Sequence, residues 1–185
     1  MRIFSWALLT AGLLAATTAN SDGLLQQQCA GCHNLTGPAP STLQGVWNRK
    51  GPDLFYAGHK YKAAWLEQWL QKPTRIRPAG MFYADHIKPG VKRDEVDVST
   101  LAAHPALNAT DSKQAAAALM QLKANAALIK PGEYQSGVIS TATGEMLFDK
   151  FRGCLACHEI EAGYGGISGP EVYTAAKRLQ EDFII

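Results

Sequence analysis

The sequence predicts an essentially all-α protein built as two helical domains in series. Three observations lead there. Apolar residues recur at helical spacing in several segments that end on proline or glycine, no segment sustains the period-two alternation of a half-buried strand, and one block of the chain occurs twice.

The chain opens with Met1 and Arg2, runs through a mostly apolar stretch from Ile3 to Ala16, and reaches the small residues Thr17, Thr18 and Ala19. A charged start, an apolar middle and a small-residue end make a secretory signal peptide, and the apolar run falls short of the roughly twenty residues that a spanning helix needs. Residues 1–19 are therefore expected to be removed, leaving a mature periplasmic chain from Asn20 with no integral membrane segment. The formal net charge of the 185 residues is only +2, and no lysine- or arginine-rich stripe follows any segment, which argues against a nucleic-acid partner.

The helical segments follow in order. "SDGLLQQQ" reads as a short helix capped by Ser21 or Asp22. "YKAAWLEQWLQK" places Ala64, Trp65, Leu66, Trp69 and Leu70 along one side of a helix that Pro73 stops. "KRDEVDVSTLAAHPALNAT" is a polar insertion whose charges from Lys92 to Asp97 read as a solvated loop. "DSKQAAAALMQLKANAALI" is a further helix, capped by Asp111 or Ser112 and ended by Pro131 with Gly132, that closes the first domain. The Pro, Gly and Ser content after it marks an interdomain linker, and "TGEMLFDKFRG" opens the second domain as another short helix. The expected division is 1–19 signal peptide, 20–125 first domain, 126–140 linker and 141–185 second domain.

The repeated block is "GPDLFYAGHKYKAAWL", Gly51 to Leu66, which aligns without a gap on "GPEVYTAAKRLQEDFI", Gly169 to Ile184. Asp53 falls opposite Glu171, Leu54 opposite Val172, Phe55 opposite Tyr173, and His59 opposite Lys177, which makes His59 part of a solvated face. The spacing is uneven, because the loop "NLTGPAPSTLQGVWNRK" lengthens the first copy, and nothing in the sequence explains that loop.

Upstream of each copy stands a second shared pattern, "CAGCH" at 29–33 and "CLACH" at 154–158, and together these use all four cysteines. A pair of disulfides needs no histidine after the second cysteine. A zinc site of two CxxC knuckles wants them about fifteen to twenty residues apart, far closer than Cys32 and Cys154. Covalent haem attachment accounts for every element: Cys29 with Cys32, and Cys154 with Cys157, add across the two porphyrin vinyl groups, and the adjacent His33 or His158 falls over the iron. Two haem c groups per chain are expected.

On these motifs the chain resembles the class I c-type cytochromes in a two-haem arrangement, that is, two tandem cytochrome c-like domains. The resemblance implies that the carbonyls of Pro52 and Pro170 accept the outer N–H of His33 and His158, fixing rings that could otherwise rotate. It also implies a distal methionine after the tryptophan-bearing helix. Met81, in "PTRIRPAGMFYADH", occupies that place for the first iron, although Phe82 stands where the family more often has proline. His86 is the nearer rival, with His59 and His104 behind it. Arg75 and Arg77 could pair with haem propionates and Trp65 or Trp69 donate to them; equally, the arginines could be solvated and the tryptophans core.

The second copy stops where the first still has to travel to Met81, and residues 159–185 hold no methionine, histidine or cysteine. Met146, in the helix before the motif, reads as core. The expectation is a truncated second domain, too small to enclose a haem alone, in a chain that continues to a further methionine.

A haem held by histidine and a thioether has no open position, so the function expected is single-electron transfer, as a free carrier or as the electron-transfer subunit of a dehydrogenase. The partners would be redox proteins: a dehydrogenase, a terminal oxidase or another cytochrome. The alternative is a dihaem enzyme, peroxidase-like or thiosulfate-oxidising, with one open iron; a gas-sensing module ranks last.

Overall fold

The computed structural model describes residues 23–124 and 126–184, so residues 1–19, expected to be a signal peptide, and the expected caps Ser21 and Asp22 lie outside the described residues. The described chain is helix-rich with few and very short strands, in keeping with the helical patterning. No helix among the described residues is long and apolar enough to cross a membrane.

The chain falls into two compact units that do not follow chain order. One comprises the described residues up to Gln71 together with Leu107–Ala126; the other comprises Lys72–Ala106 and the chain from Ala127 on. The segment 72–106, read from sequence as part of the first domain, thus forms one unit with the second motif, and so do residues 127–140, read as a linker.

In the first unit, helix α1 (residues 23–28) leads into the first motif, and α2 (Leu43–Trp47) lies in the long loop, capped by the Thr42 hydroxyl. α3 (Ala57–Lys60) and α4 (Ala63–Gln71) follow, and α5 (Ala109–Leu119) packs on α4. Their interface is the apolar core: Leu66 and Leu70 from α4 meet the alanine face and Leu119 of α5, all buried. Trp65 and Trp69 are only half-buried, and Ala64, expected on the inner side, is exposed. Tyr61, Trp65 and Trp69 instead stack in a ladder at 5.7 Å between successive rings, the spacing that residues four apart on a helix allow.

Two boundaries of α5 differ from the sequence reading. Its cap is Asn108, whose side-chain oxygen accepts from the Asp111 N–H at 2.9 Å while its amide donates to the Asp111 carboxylate at 2.8 Å. It ends at Leu119, well before Pro131, because the carbonyl of Leu122 accepts from Gly58 N–H and the N–H of Ala124 bonds to the carbonyl of Phe55. Those backbone bonds draw the chain out along the unit, and a helix could not supply them.

In the second unit a two-residue pairing of β1 (Ile87–Lys88) with β2 (Glu95–Val96) replaces the expected open loop. Arg93 at its tip donates to the carbonyls of Gly165 and Gly163 at 2.8 and 3.3 Å, so that one of the charges read as solvated is tied down. α6 (Thr141–Met146), capped by Ser140, passes into a π-helical turn, Leu147–Phe151, and the left-handed Gly153 breaks the helix at the second motif. After the motif, β3 (Glu159–Glu161) pairs with β4 (Tyr164–Gly165), and α7 (Ala175–Arg178) and α8 (Glu181–Ile184) complete the unit. The former linker is anchored to α8, since Lys130 and Gly132 donate to the backbone and side chain of Asp182.

Candidate functional site

The two CxxCH motifs fold alike. In each, the second cysteine's N–H bonds to the first cysteine's carbonyl at 3.1 Å, and the histidine N–H to the same carbonyl at 3.0 Å. This single turn brings both sulfurs and the imidazole to one small region of the chain.

The repeated block then closes on the motif in the same way in both units. Leu54 N–H bonds to the carbonyl of Asn34, the residue after His33, at 2.8 Å; its counterpart Val172 bonds to Glu159, the residue after His158, at 2.9 Å. These bonds hold each Gly-Pro turn against its histidine. The Nδ1 of His33 lies 2.8 Å from the carbonyl of Pro52, and that of His158 lies 2.6 Å from the carbonyl of Pro170. A proline carbonyl can only accept, so Nδ1 carries the proton in both rings. α3 and α7 then occupy equivalent places in the two copies, as do the first residues of α4 and α8.

The glycines before the two prolines complete the cradle. A β-carbon on Gly51 would stand 2.6 Å from Cε1 of His33, and one on Gly169 2.8 Å from Cε1 of His158, closer than a β-carbon approaches another heavy atom. The recurrence of Gly-Pro thus has a steric cause at glycine and a hydrogen-bonding cause at proline.

All four cysteines are free thiols; Cys29 is buried, Cys154 half-buried, and Cys32 and Cys157 exposed. Burial, and secondarily the neighbouring Cys32, pushes the Cys29 thiol above the ordinary thiol range. Among the described residues no three His, Cys, Asp or Glu side chains converge on one point.

The interiors differ. Nearly all the buried apolar side chains belong to the first unit; in the second, among the described residues, Ala79 alone is apolar and buried. Beside the second motif, Leu155, Ala156 and Ile167 with Tyr83 and Arg93 line an open cleft of about 600 Å³. The paired histidine cradles are the feature of the residues present that fits haem c.

Met81 is half-buried in segment 72–106, which bonds to the stretch after the second motif: Ala79 N–H to the Ile167 carbonyl at 3.3 Å, and Glu171 N–H to the Ile76 carbonyl at 2.7 Å. His86, in the same segment, places Nδ1 2.9 Å from the Thr100 hydroxyl. His59, read as a solvated face, is engaged instead: its Nε2 donates to the carbonyl of Lys123 at 2.7 Å and ties α3 to the chain that follows α5. His104 has Nδ1 on the carbonyl of Pro105 at 2.9 Å. Arg75 is exposed and Arg77 half-buried, while Met146, read as core, is exposed.

Sequence reasoning missed the charges behind the histidines. Asp53 and Glu171, the residues after the two prolines, are both buried, and each is paired with an arginine, Arg49 or Arg178. The alignment of Asp53 with Glu171 was the available signal; the arginines come from unrelated positions and gave none. Comparisons with protein-family models, with curated proteins and with solved structures yield no match to this chain.

Proposed function

We propose that this chain is a periplasmic dihaem c-type cytochrome of two cytochrome c-like domains that passes single electrons between redox proteins. The observation that carries the reading is the pair of matched cradles, in which each CxxCH histidine gives its Nδ1–H to a proline carbonyl, the tautomer that a ligand binding through Nε2 requires. A histidine so held keeps one orientation and gains basicity, which a metal ligand needs and a surface histidine does not.

Haem c, when bound, supplies a one-electron ferric/ferrous couple. The chain's own part would be to hold it: Cys29, Cys32, Cys154 and Cys157 would be the thioether anchors, His33 and His158 the iron's nitrogen ligands, and Pro52 and Pro170 the groups that aim them. Met81 would supply a further, thioether ligand. By its place after the tryptophan-bearing helix, the family resemblance gives it to the first iron. One observation favours the second iron instead, namely that segment 72–106 hydrogen-bonds to residues 163–171 and forms a compact unit with the second motif.

Haem quantitation on protein matured in a haem-competent periplasm tests the reading. Two haems per chain that resist acid-acetone extraction are expected. One haem, extractable haem, or zinc in place of iron would sink it.

A further inference from the structure

We propose that the buried charges behind the two histidines hold the haem couples at different potentials, the second below the first, so that electrons pass from the second haem to the first. The inference rests on the haem reading above and adds to it which residues set the direction of transfer.

In the first unit the residue after His33 is the neutral Asn34, and the residue after Pro52 is Asp53, 5% exposed. Arg49 meets the Asp53 carboxylate at 2.6 Å and is itself 23% exposed. The local sum is zero, and solvent reaches the pair. The long loop that the sequence left unexplained has this result: it carries Arg49 to its place four residues before Asp53.

The second unit keeps the carboxylate and changes its surroundings. Glu171 is 3% exposed, and its carboxylate accepts from the Thr174 N–H at 2.9 Å and from the Thr174 hydroxyl. Its partner Arg178, also buried, stands 3.7 Å away and gives its shorter bond, 2.7 Å, to the Glu171 backbone carbonyl. The residue after His158 is a second buried carboxylate, Glu159. Two carboxylates and one guanidinium leave a net negative charge, away from water, on the residues that flank His158 and Pro170.

Buried charge acts at low effective dielectric and is little screened. Negative charge beside a proximal ligand favours the ferric state, so it lowers the potential, and the unit with the net negative charge takes the lower couple.

Protein-film voltammetry on the matured full chain tests this, with Cys154→Ala/Cys157→Ala protein identifying the wave of the first haem. Two waves are expected, the lower belonging to the second haem. Glu159→Gln and Glu171→Gln should each raise the lower wave and leave the upper in place. Asp53→Asn should raise the upper wave and Arg49→Gln should lower it. Opposite signs for the two partners of one ion pair mark an electrostatic role, because simple loss of packing would move both variants the same way. Should Glu171→Gln fail to accumulate with two haems, Glu159→Gln carries the same sign at the same couple. Waves that stay put, or that move together, overturn this inference and leave the haem reading standing. A wild-type protein without covalent haem overturns both.

Discussion

Gly169 lies so close to His158 that a β-carbon there would stand 2.8 Å from both Nδ1 and Cε1 of the ring, and Gly51 approaches His33 in the same manner. Gly51→Ala and Gly169→Ala must therefore push an imidazole away from its proline carbonyl or open the turn. Overpacking of this kind costs about 1–3 kcal/mol. The expected outcome is a lower denaturant midpoint and a growing high-spin fraction in the absorption spectrum, at one haem per substitution. Spectra and midpoint identical to wild type would mean that the rings are not held there.

Asn108→Ala removes the acceptor for the Asp111 N–H and should destabilise the first unit by about 1 kcal/mol, the usual cost of an N-cap. Ser112→Ala tests a different role, since its hydroxyl is buried and bonds to the carbonyl of Asn108 at 2.7 Å. Equilibrium denaturation of the two variants separates cap from core. If Asn108→Ala matches wild type, the cap is not at Asn108.

What the sequence disclosed is what local chemistry dictates. CxxCH is a pattern of near neighbours, the block recurs in plain view, and the proline carbonyls stand at His33 and His158 as the family resemblance implied, across 19 and 12 residues of chain. What it withheld depends on distant backbone. The end of α5 is set by Gly58 and Phe55, which no propensity in 109–130 encodes. The charges from Lys92 to Asp97 read as a solvated loop because the acceptors of Arg93, Gly163 and Gly165, lie some seventy residues on. For Asp53 the sequence showed only its alignment with Glu171, since its burial comes from the fold and its partner from the loop before it.

Burial raises the Cys29 thiol pKa, with Cys32 adding to the effect, so in the haem-free chain Cys29 carries less thiolate than an exposed cysteine. Alkylation of folded haem-free protein near pH 8, followed by mass spectrometry, should label Cys32 and Cys157 well before Cys29. The linkage has a sign. A raised folded-state pKa contributes stability that is whole below the ordinary thiol value of 9.0 and is lost as pH rises from there through the raised value, so the haem-free chain should keep this stability near pH 8 and weaken only in more strongly alkaline buffer. Cys29→Ala should flatten that dependence. Equal labelling of Cys29 and Cys32 would contradict the burial.

Met81 separates two assignments of the distal thioether. Protein carrying Cys154→Ala and Cys157→Ala keeps the first attachment site alone, so any sulfur-to-iron charge-transfer band it shows belongs to the first haem. The expectation from the order of the repeat is that the band persists in this single-haem protein and vanishes when Met81→Ala is added. The potential should fall at the same time, because a thioether stabilises ferrous iron better than the water or imidazole that would replace it. Carbon monoxide should bind the reduced first haem only after Met81 is lost, and His86→Ala should change neither band nor potential. The opposite pattern has its own structural cause: a band absent from the single-haem protein but present in the Cys29→Ala/Cys32→Ala counterpart assigns Met81 to the second iron. In that case the bonds from Ile76, Ala79 and Arg93 to residues 163–171 are what carry the methionine there.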